Sequence, residues 1–259
     1  MRIDVNCFLG HYPYRRLVGG SPMALLEAMD RNGIDQGWVS NLPAVFWKDP
    51  TEGNAVVYSA AAAQPRFRPV PAVHPGLANW EGVVAEAADA GAPCIRADPT
   101  FYGIEPGGGA MQSLAAACGA RGLPILLAVR LEDGRQRHPN DAARELLASD
   151  IRTLLRSDQG VRLLITHADR DCVEQVHFGS TPSEAARILW DISWIWGPPE
   201  DHLEQVVRAV GADRFCFGTG APLRLPETSV AKLELASFNA TVRVAIDRGN
   251  VERWLVPPT

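Results

Sequence analysis

No two cysteines of this chain stand in a C-x-x-C spacing, and their number is odd: Cys7, Cys94, Cys118, Cys172 and Cys216. That argues against a disulfide framework and against a thiolate zinc site. Cys7, Cys94 and Cys216 lie in apolar, strand-like runs and read as small buried hydrophobes. There is no run of Lys or Arg, and the formal net charge is −5. Electrostatics therefore point away from nucleic acid and from an anionic membrane surface. Lysine is scarce while arginine and alanine are abundant. That composition reads first as coding bias and second as a preference for bidentate anion binding. No apolar run approaches the ~18 residues of a membrane helix. The opening MRIDVNCFLG has no cationic stretch leading into a long apolar one, so a cytoplasmic protein is expected. No Ser/Gly-rich linker divides the chain, and the turn after the first apolar run, Leu9 to Arg16, lacks the G-x-G-x-x-G of a dinucleotide fold.

What is present is an alternation. Eight short apolar runs are spaced along the 259 residues: Arg2–Leu9, Gln36–Ser40, Arg68–Val73, Pro93–Ala97, Pro124–Val129, Arg162–Thr166, Ile188–Ile192 and Arg214–Gly218. Each has the length and near-continuous apolarity of a buried parallel strand. Between them lie helical patterns at Pro22–Met29, Thr51–Gln64, Trp80–Ala90, Gly109–Arg121, Asp141–Arg156, Glu200–Val210 and Val230–Arg248. Ser21 and Asn79 are the expected N-caps of the first and third, and Gly33 the stop of the first. Strand–helix alternation with eight strands in about 250 residues predicts an α/β fold, a single-domain (β/α)8 TIM barrel over residues 1–259. A hydrophobic share of 46% is ample for its core.

Function in such a barrel sits at the C-terminal ends of the strands. The residues there are Asn6, Phe8 and His11; Asn41; His74; Arg96, Asp98 and Tyr102; Arg130, Glu132, Asp133, Arg135 and His138; His167, Asp169 and Arg170; Asp191, Ser193 and Trp194; Thr219 and Arg224. For any single histidine, loop bracing is the plainer role. For the set, convergence on one pocket is expected.

The phrase Ile3-Asp-Val-Asn-Cys-Phe-Leu-Gly10 resembles the opening strand of the amidohydrolase superfamily, Asp-x-His-x-His. Phe67–Pro75 resembles that superfamily's third strand, Arg162–Ala168 its sixth-strand histidine segment, and Arg214–Pro222 its last strand, usually Phe-Gly-Thr-Asp-x-Pro. Asn250 resembles its closing Gly-Asn. The departures are as informative. The paired histidines fall on Asn6 and Phe8, the fifth-strand histidine near Val129 or Arg130, and the last-strand aspartate on Gly220. Only His167 matches. A catalytic zinc needs about three protein ligands, so the resemblance implies that the inherited metal site is lost and that no cofactor is held. Related pyrone-dicarboxylate lactonases hydrolyse without metal.

The expected function is an amidohydrolase-like hydrolase or lyase acting on a small anionic, carboxylate-bearing molecule. His167, Asp98, Glu132 and His138 are the candidates for proton transfer. Asn6, His11, His74, Arg96, Arg130, Arg135 and Trp194 are the candidates for substrate binding. Arginine forks suit a carboxylate. The dense loop Arg130–Pro139 reads equally as a surface ion-pair network, and Tyr14, Arg15 and Arg16 as part of the anion site or as a solvated loop. Trp194 and Trp196 read as pocket walls or as loop packing. Two other functions stay open: a non-catalytic barrel binding a ligand or partner, and a metal site rebuilt from His74, His167 and nearby carboxylates. Self-association as a homo-oligomer also stays open.

Overall fold

The computed structural model describes residues 1–256. All eight expected strands form: β1 (Ile3–Leu9), β2 (Gln36–Asn41), β3 (Phe67–Pro69), β4 (Ile95–Ala97), β5 (Ile125–Ala128), β6 (Leu163–Thr166), β7 (Ile188–Asp191) and β8 (Phe215–Cys216). Every pairing is parallel, in the orders β1-β2-β3 and β4-β5-β6-β7-β8. Both seams between the two sheets are hydrogen-bonded. Arg96 N donates to Pro71 O and Val73 N to Arg96 O, each at 2.8 Å. Across the other seam Val5 N donates to Phe217 O (3.1 Å), Gly220 N to Asn6 O (2.8 Å) and Phe8 N to Ala221 O (2.7 Å). β3 is shorter than the apolar run predicted because Pro69 and Pro71 have no N–H to give the ladder.

The two-residue period of the strands sorts their side chains into layers. One inner cluster takes Val5, Trp38, Val70, Cys94, Leu126, Leu164, Leu189 and Cys216, with Val251 closing it below. The outer cluster takes alternate residues such as Ile125, Leu127 and Val129 against the helices. Above the inner layer a third cluster, with Phe8, Tyr12, Leu17, Leu42, Val45, Leu131 and Leu223, plugs the C-terminal mouth.

The helices are α1 (Pro22–Arg31), α2 (Thr51–Ala63), α3 (Trp80–Asp89), α4 (Gly109–Arg121), α5 (Ala148–Ser157), α6 (Arg170–Phe178), the single turn α7 (Pro182–Ala185), α8 (His202–Val210), α9 (Pro226–Leu235), α10 (Ala240–Val244) and α11 (Asn250–Leu255). Ser21 Oγ accepts from Ala24 N as expected, and Gly33 stops α1 with φ +60°. Three expectations are corrected. Asn79 makes no side-chain cap, because its amide turns to Thr51 Oγ1. The helix expected from Asp141 starts only at Ala148: the Asp141 carboxylate is taken by Tyr12 Oη (2.7 Å) and Arg137, and Leu146 N by Val129 O. The stretch Val230–Arg248 is interrupted after α9, and Asn239 caps a new helix by accepting from Val242 N (2.9 Å).

Asp4 ties β1 to β8. Its Oδ1 accepts from Asn6 N and Thr219 N, each at 3.0 Å, and its Oδ2 from Thr219 Oγ1 at 2.5 Å. Burial raises this carboxyl to about 6 against these hydrogen bonds. Below the unfolded value both states are protonated. Between there and about 6 the folded state binds more protons, so Asp4 lowers stability as pH rises through that window. Asp4→Asn keeps an acceptor for the two backbone donors and is expected to lie within ~1 kcal/mol of the parent while flattening that window. Asp4→Ala orphans three donors and is expected to cost roughly 3 kcal/mol or more. Urea denaturation between pH 4 and 7 checks both.

Candidate active site

The buried polar groups of the C-terminal face come from β1, β6 and β7. In β1 the register slips between Asp4 and Cys7, so Ile3 and Val5 lie in the inner layer while Cys7 and Leu9 lie in the outer one. Such a slip re-aims side chains, and Asn6 reaches across the mouth. Beyond β6, His167 has φ +56°, the one non-glycine residue with positive φ among the described residues. That conformation breaks the strand period and turns the imidazole inward.

The three groups then lock together. His167 Nδ1 lies 2.7 Å from Arg130 O, which can only accept, so Nδ1 carries the proton. Nε2 is therefore an acceptor, and Asn6 Nδ2 donates to it at 2.8 Å. The second N–H of that amide goes to Asp191 Oδ2 at 2.9 Å. Asp191 also accepts from His167 N (3.0 Å) and Ser193 Oγ (2.9 Å). Asn6 Oδ1 is left buried without a partner. Burial drives the imidazole down to about 3, helped by the charges of Arg224, Arg96 and Arg130, while the bond to Arg130 O acts the other way. Burial likewise raises Asp191, against its hydrogen bonds from Ser193, Asn6 and His167. Lys232 stands behind β7 and donates to the carbonyls of Ile192, Ser193 and Ile195 at 2.7–3.0 Å. Burial brings its amine down to about 7.

Around this centre the arginines are paired. Arg96 is fully buried, holds Asp98 bidentately (2.8 and 3.1 Å) and lies 4.5 Å over the Phe8 ring. Arg130 bridges Asp169 (2.7 Å) and Glu145 (2.9 Å). Trp194 lies 5.6 Å from the His167 ring, with Arg130 5.4 Å and Arg224 3.6 Å from its own ring. Glu132 is buried and takes Arg15 at 2.5 Å.

The remaining expected residues lie away from the centre. Arg135 is 77% exposed and clamps Asp133. His138 is exposed and stacked on Tyr14 at 4.9 Å, and His11 is exposed. His74 stacks on Tyr102 at 4.5 Å, with its Nδ1 accepting from Gly76 N. Over the centre the rings of Tyr12, Tyr14, Phe46 and Phe101 pack edge to face at 5.4–5.6 Å. His167 and Asp191 are 0% exposed and Asn6 1%, so the polar centre is sealed.

The donor set does not fit a metal. Among the described residues no three His, Cys, Asp or Glu side chains converge as ligands. Phe8 is covered by the Arg96 guanidinium. Gly220 has φ +74°, and a Cβ there would stand 2.5 Å from His167 Nε2. The aspartate that the superfamily places here and the imidazole of this chain exclude each other.

No protein-family model and no curated protein sequence matches the chain. Solved structures do match. A 2,6-dihydroxybenzoate decarboxylase from Rhizobium superposes with TM-score 0.75 at 15% identity, over 98% of each chain. A dihydroxybenzoic acid decarboxylase from Polaromonas, with bound manganese and 2-nitroresorcinol, gives 0.72 at 17%, over 98% of this chain and 96% of that one. A probable 2-pyrone-4,6-dicarboxylic acid hydrolase from Acinetobacter baumannii with citric acid bound gives 0.68 at 10%, over 98% of each. These likenesses show the fold, an α/β barrel of parallel strands as the sequence predicts.

Gly220→Asp tests the exclusion. A side chain at positive φ and against an imidazole is expected to cost about 2–5 kcal/mol. Metal content is expected to stay at parent level, so a variant that gains stoichiometric metal with unchanged melting temperature contradicts the geometry. His167→Gln has a separate signature. Its folded value lies below the unfolded one, so the parent loses stability as pH falls from about 6.5 toward 3, and the variant is expected to lose less.

Proposed function

We propose that the protein is a lyase or hydrolase for a small carboxylate-bearing substrate, working without a catalytic metal and using His167 to move the proton. The observation that carries this reading is the buried imidazole. It is held in one tautomer by the Arg130 carbonyl, its Nε2 meets Asn6, and three guanidinium charges bear on it. Neutral imidazole with a fixed lone pair is a base waiting for a proton source. Of these guanidinium groups Arg96 and Arg130 are already paired with carboxylates, so Arg224 is the one left to attract an anion. A carboxylate among them opposes their field, so substrate binding raises the proton affinity of His167 toward its ordinary value. Asn6, with its orphaned Oδ1, offers the one unused buried acceptor beside that imidazole. Asp98 and Glu132 serve in this reading as partners of Arg96 and Arg15, while His138, His11 and Arg135 belong to the rim. Access requires the aromatic cover of Tyr12, Tyr14, Phe46 and Phe101 to open. The neighbours named above act on carboxylates, which supports the substrate class, and one of them holds manganese.

That aromatic seal favours a second reading, a barrel that binds without turning over. A panel of lactones, aromatic acids and β-keto acids, assayed alongside elemental analysis of protein purified without chelator, separates the two. The expected result is turnover of at least one carboxylate that survives chelator, no stoichiometric metal, and a loss of roughly 100-fold or more in His167→Gln. Turnover that appears only with added manganese or zinc overturns the metal-free reading. No turnover anywhere in the panel supports the binding reading.

A further inference from the structure

The buried and partly buried guanidinium groups around the centre have carboxylates: Arg96 has Asp98, Arg130 has Asp169 and Glu145, and on the rim Arg135 has Asp133 and Arg15 has Glu132, while Arg16 is exposed to solvent. Among the described residues the half-buried Arg224 has none. It follows β8, its Cζ lies over the Trp194 ring 3.6 Å from the centroid, and its Nε is buried without an acceptor. Burial lowers its proton affinity, and the carboxylates whose charge reaches it are Glu132, Asp191 and Asp133. Each of these is engaged elsewhere. Glu132 takes Arg15, Asp133 is clamped by Arg135 (3.0 and 2.6 Å), and Asp191 takes Asn6, Ser193 and the His167 amide.

Arg224 also lines a cleft of about 420 Å³ between the segments that follow β7 and β8, with Ser193, Trp194, Trp196 and Lys232 in its wall. Of the two carboxylates that also line it, Asp133 is clamped by Arg135, and Glu200 stands beside Pro198. That is the small end of the range for small-molecule sites. Stacking on an indole fixes the guanidinium plane and leaves its N–H edge free, the arrangement that receives an oxyanion bidentately. Lys232 stands in the same wall with its Nζ turned to the carbonyls of Ile192, Ser193 and Ile195, so Arg224 is the group left to meet an anion.

We propose that this cleft is a receptor for a small oxyanion, a carboxylate or a phosphate, with Arg224 as its anchor. The anionic anchor is thus not Arg96 or Arg130, both already neutralised by neighbours. The site stands or falls on binding alone, whether or not His167 turns anything over.

Calorimetric titration and thermal shift of the whole chain with malonate, acetate and inorganic phosphate test it. One saturable site per chain is expected for at least one probe. The probe that binds more tightly tells whether carboxylate or phosphate is the natural group. Arg224→Gln is expected to weaken binding about tenfold or more. Arg224→Lys, which keeps the charge without the planar fork, should fall between the two. Arg156→Gln, which removes a surface pair with Glu184, should bind like the parent. Equal affinity in parent and both Arg224 variants, or only weak non-saturable binding of every probe, overturns the proposal. Stoichiometric binding that depends on Arg224, together with no turnover in the panel above, keeps this site and removes the catalytic reading.

Discussion

The Asn6 side-chain amide has two N–H bonds, and the arrangement of the C-terminal face follows from where they go. One meets the His167 imidazole and the other the Asp191 carboxylate, joining β1 to β6 and β7 across the mouth. A histidine at the same position cannot do this, because its ring offers one proton per nitrogen and the two nitrogens point apart. The amide also settles the tautomer. With Nδ1 bound to the Arg130 carbonyl, only an N–H donor suits Nε2, and asparagine supplies one without adding charge. Gly220 is a consequence rather than an independent loss. Once the imidazole occupies the space above β8, nothing larger than hydrogen fits there.

Charge at this face is balanced almost pair by pair. Arg96 and Asp98 neutralise each other in full burial, where either alone would carry a desolvation penalty of several kcal/mol. The pair lies over Phe8, at a position where the superfamily resemblance leads one to expect a metal ligand. A guanidinium–carboxylate pair brings no net charge, so the cationic character of the face comes from elsewhere. It comes from Arg224, which lies against Trp194 and has no ion pair among the described residues.

Much of the fold was legible because the parallel strands are buried on both faces and therefore read as continuous apolar runs. All eight were placed, and β3 came out short only where two prolines withhold donors. The helix boundaries were less legible. At Asp141 and at Asn239 a side-chain hydrogen bond overrides an amphipathic pattern that would otherwise continue. At the site, position along the chain puts Asn6, Arg96, Asp98, Arg130, His167 and Trp194 at the strand ends, where they lie, but cannot separate a paired arginine from a free one. Arg130, Arg135 and Arg224 look alike in sequence, and only the geometry of their carboxylates tells them apart. Asp191 and Ser193 stood at a strand end and were not singled out. Lys232, one of two lysines in the chain, gave a signal only through its rarity. Tyr12 and Phe46 were invisible as a cover because stacking between distant loops leaves no local pattern.

Two buried groups of the interior, Asp4 and His167, show what this barrel tolerates. Asp4 and His167 are both fully buried, and burial moves each toward its neutral form, the acid upward and the base downward. Their effects on stability have opposite sign. Asp4 costs stability as pH rises toward about 6 and His167 costs it as pH falls from about 6.5 toward 3, so the two penalties overlap in the mildly acidic range rather than cancelling there. Above that range the Asp4 carboxylate stays folded through its bonds to Thr219 and Asn6, which also hold the β1–β8 seam. The interior therefore accepts ionised groups where hydrogen bonds or a counter-charge meet them. Arg224 is the exception at the edge of that interior: a half-buried cation against Trp194, with no carboxylate in ion-pair contact among the described residues. Such a group is stable at the surface of a cleft and not beneath it, because there water or a bound anion completes what the protein leaves open.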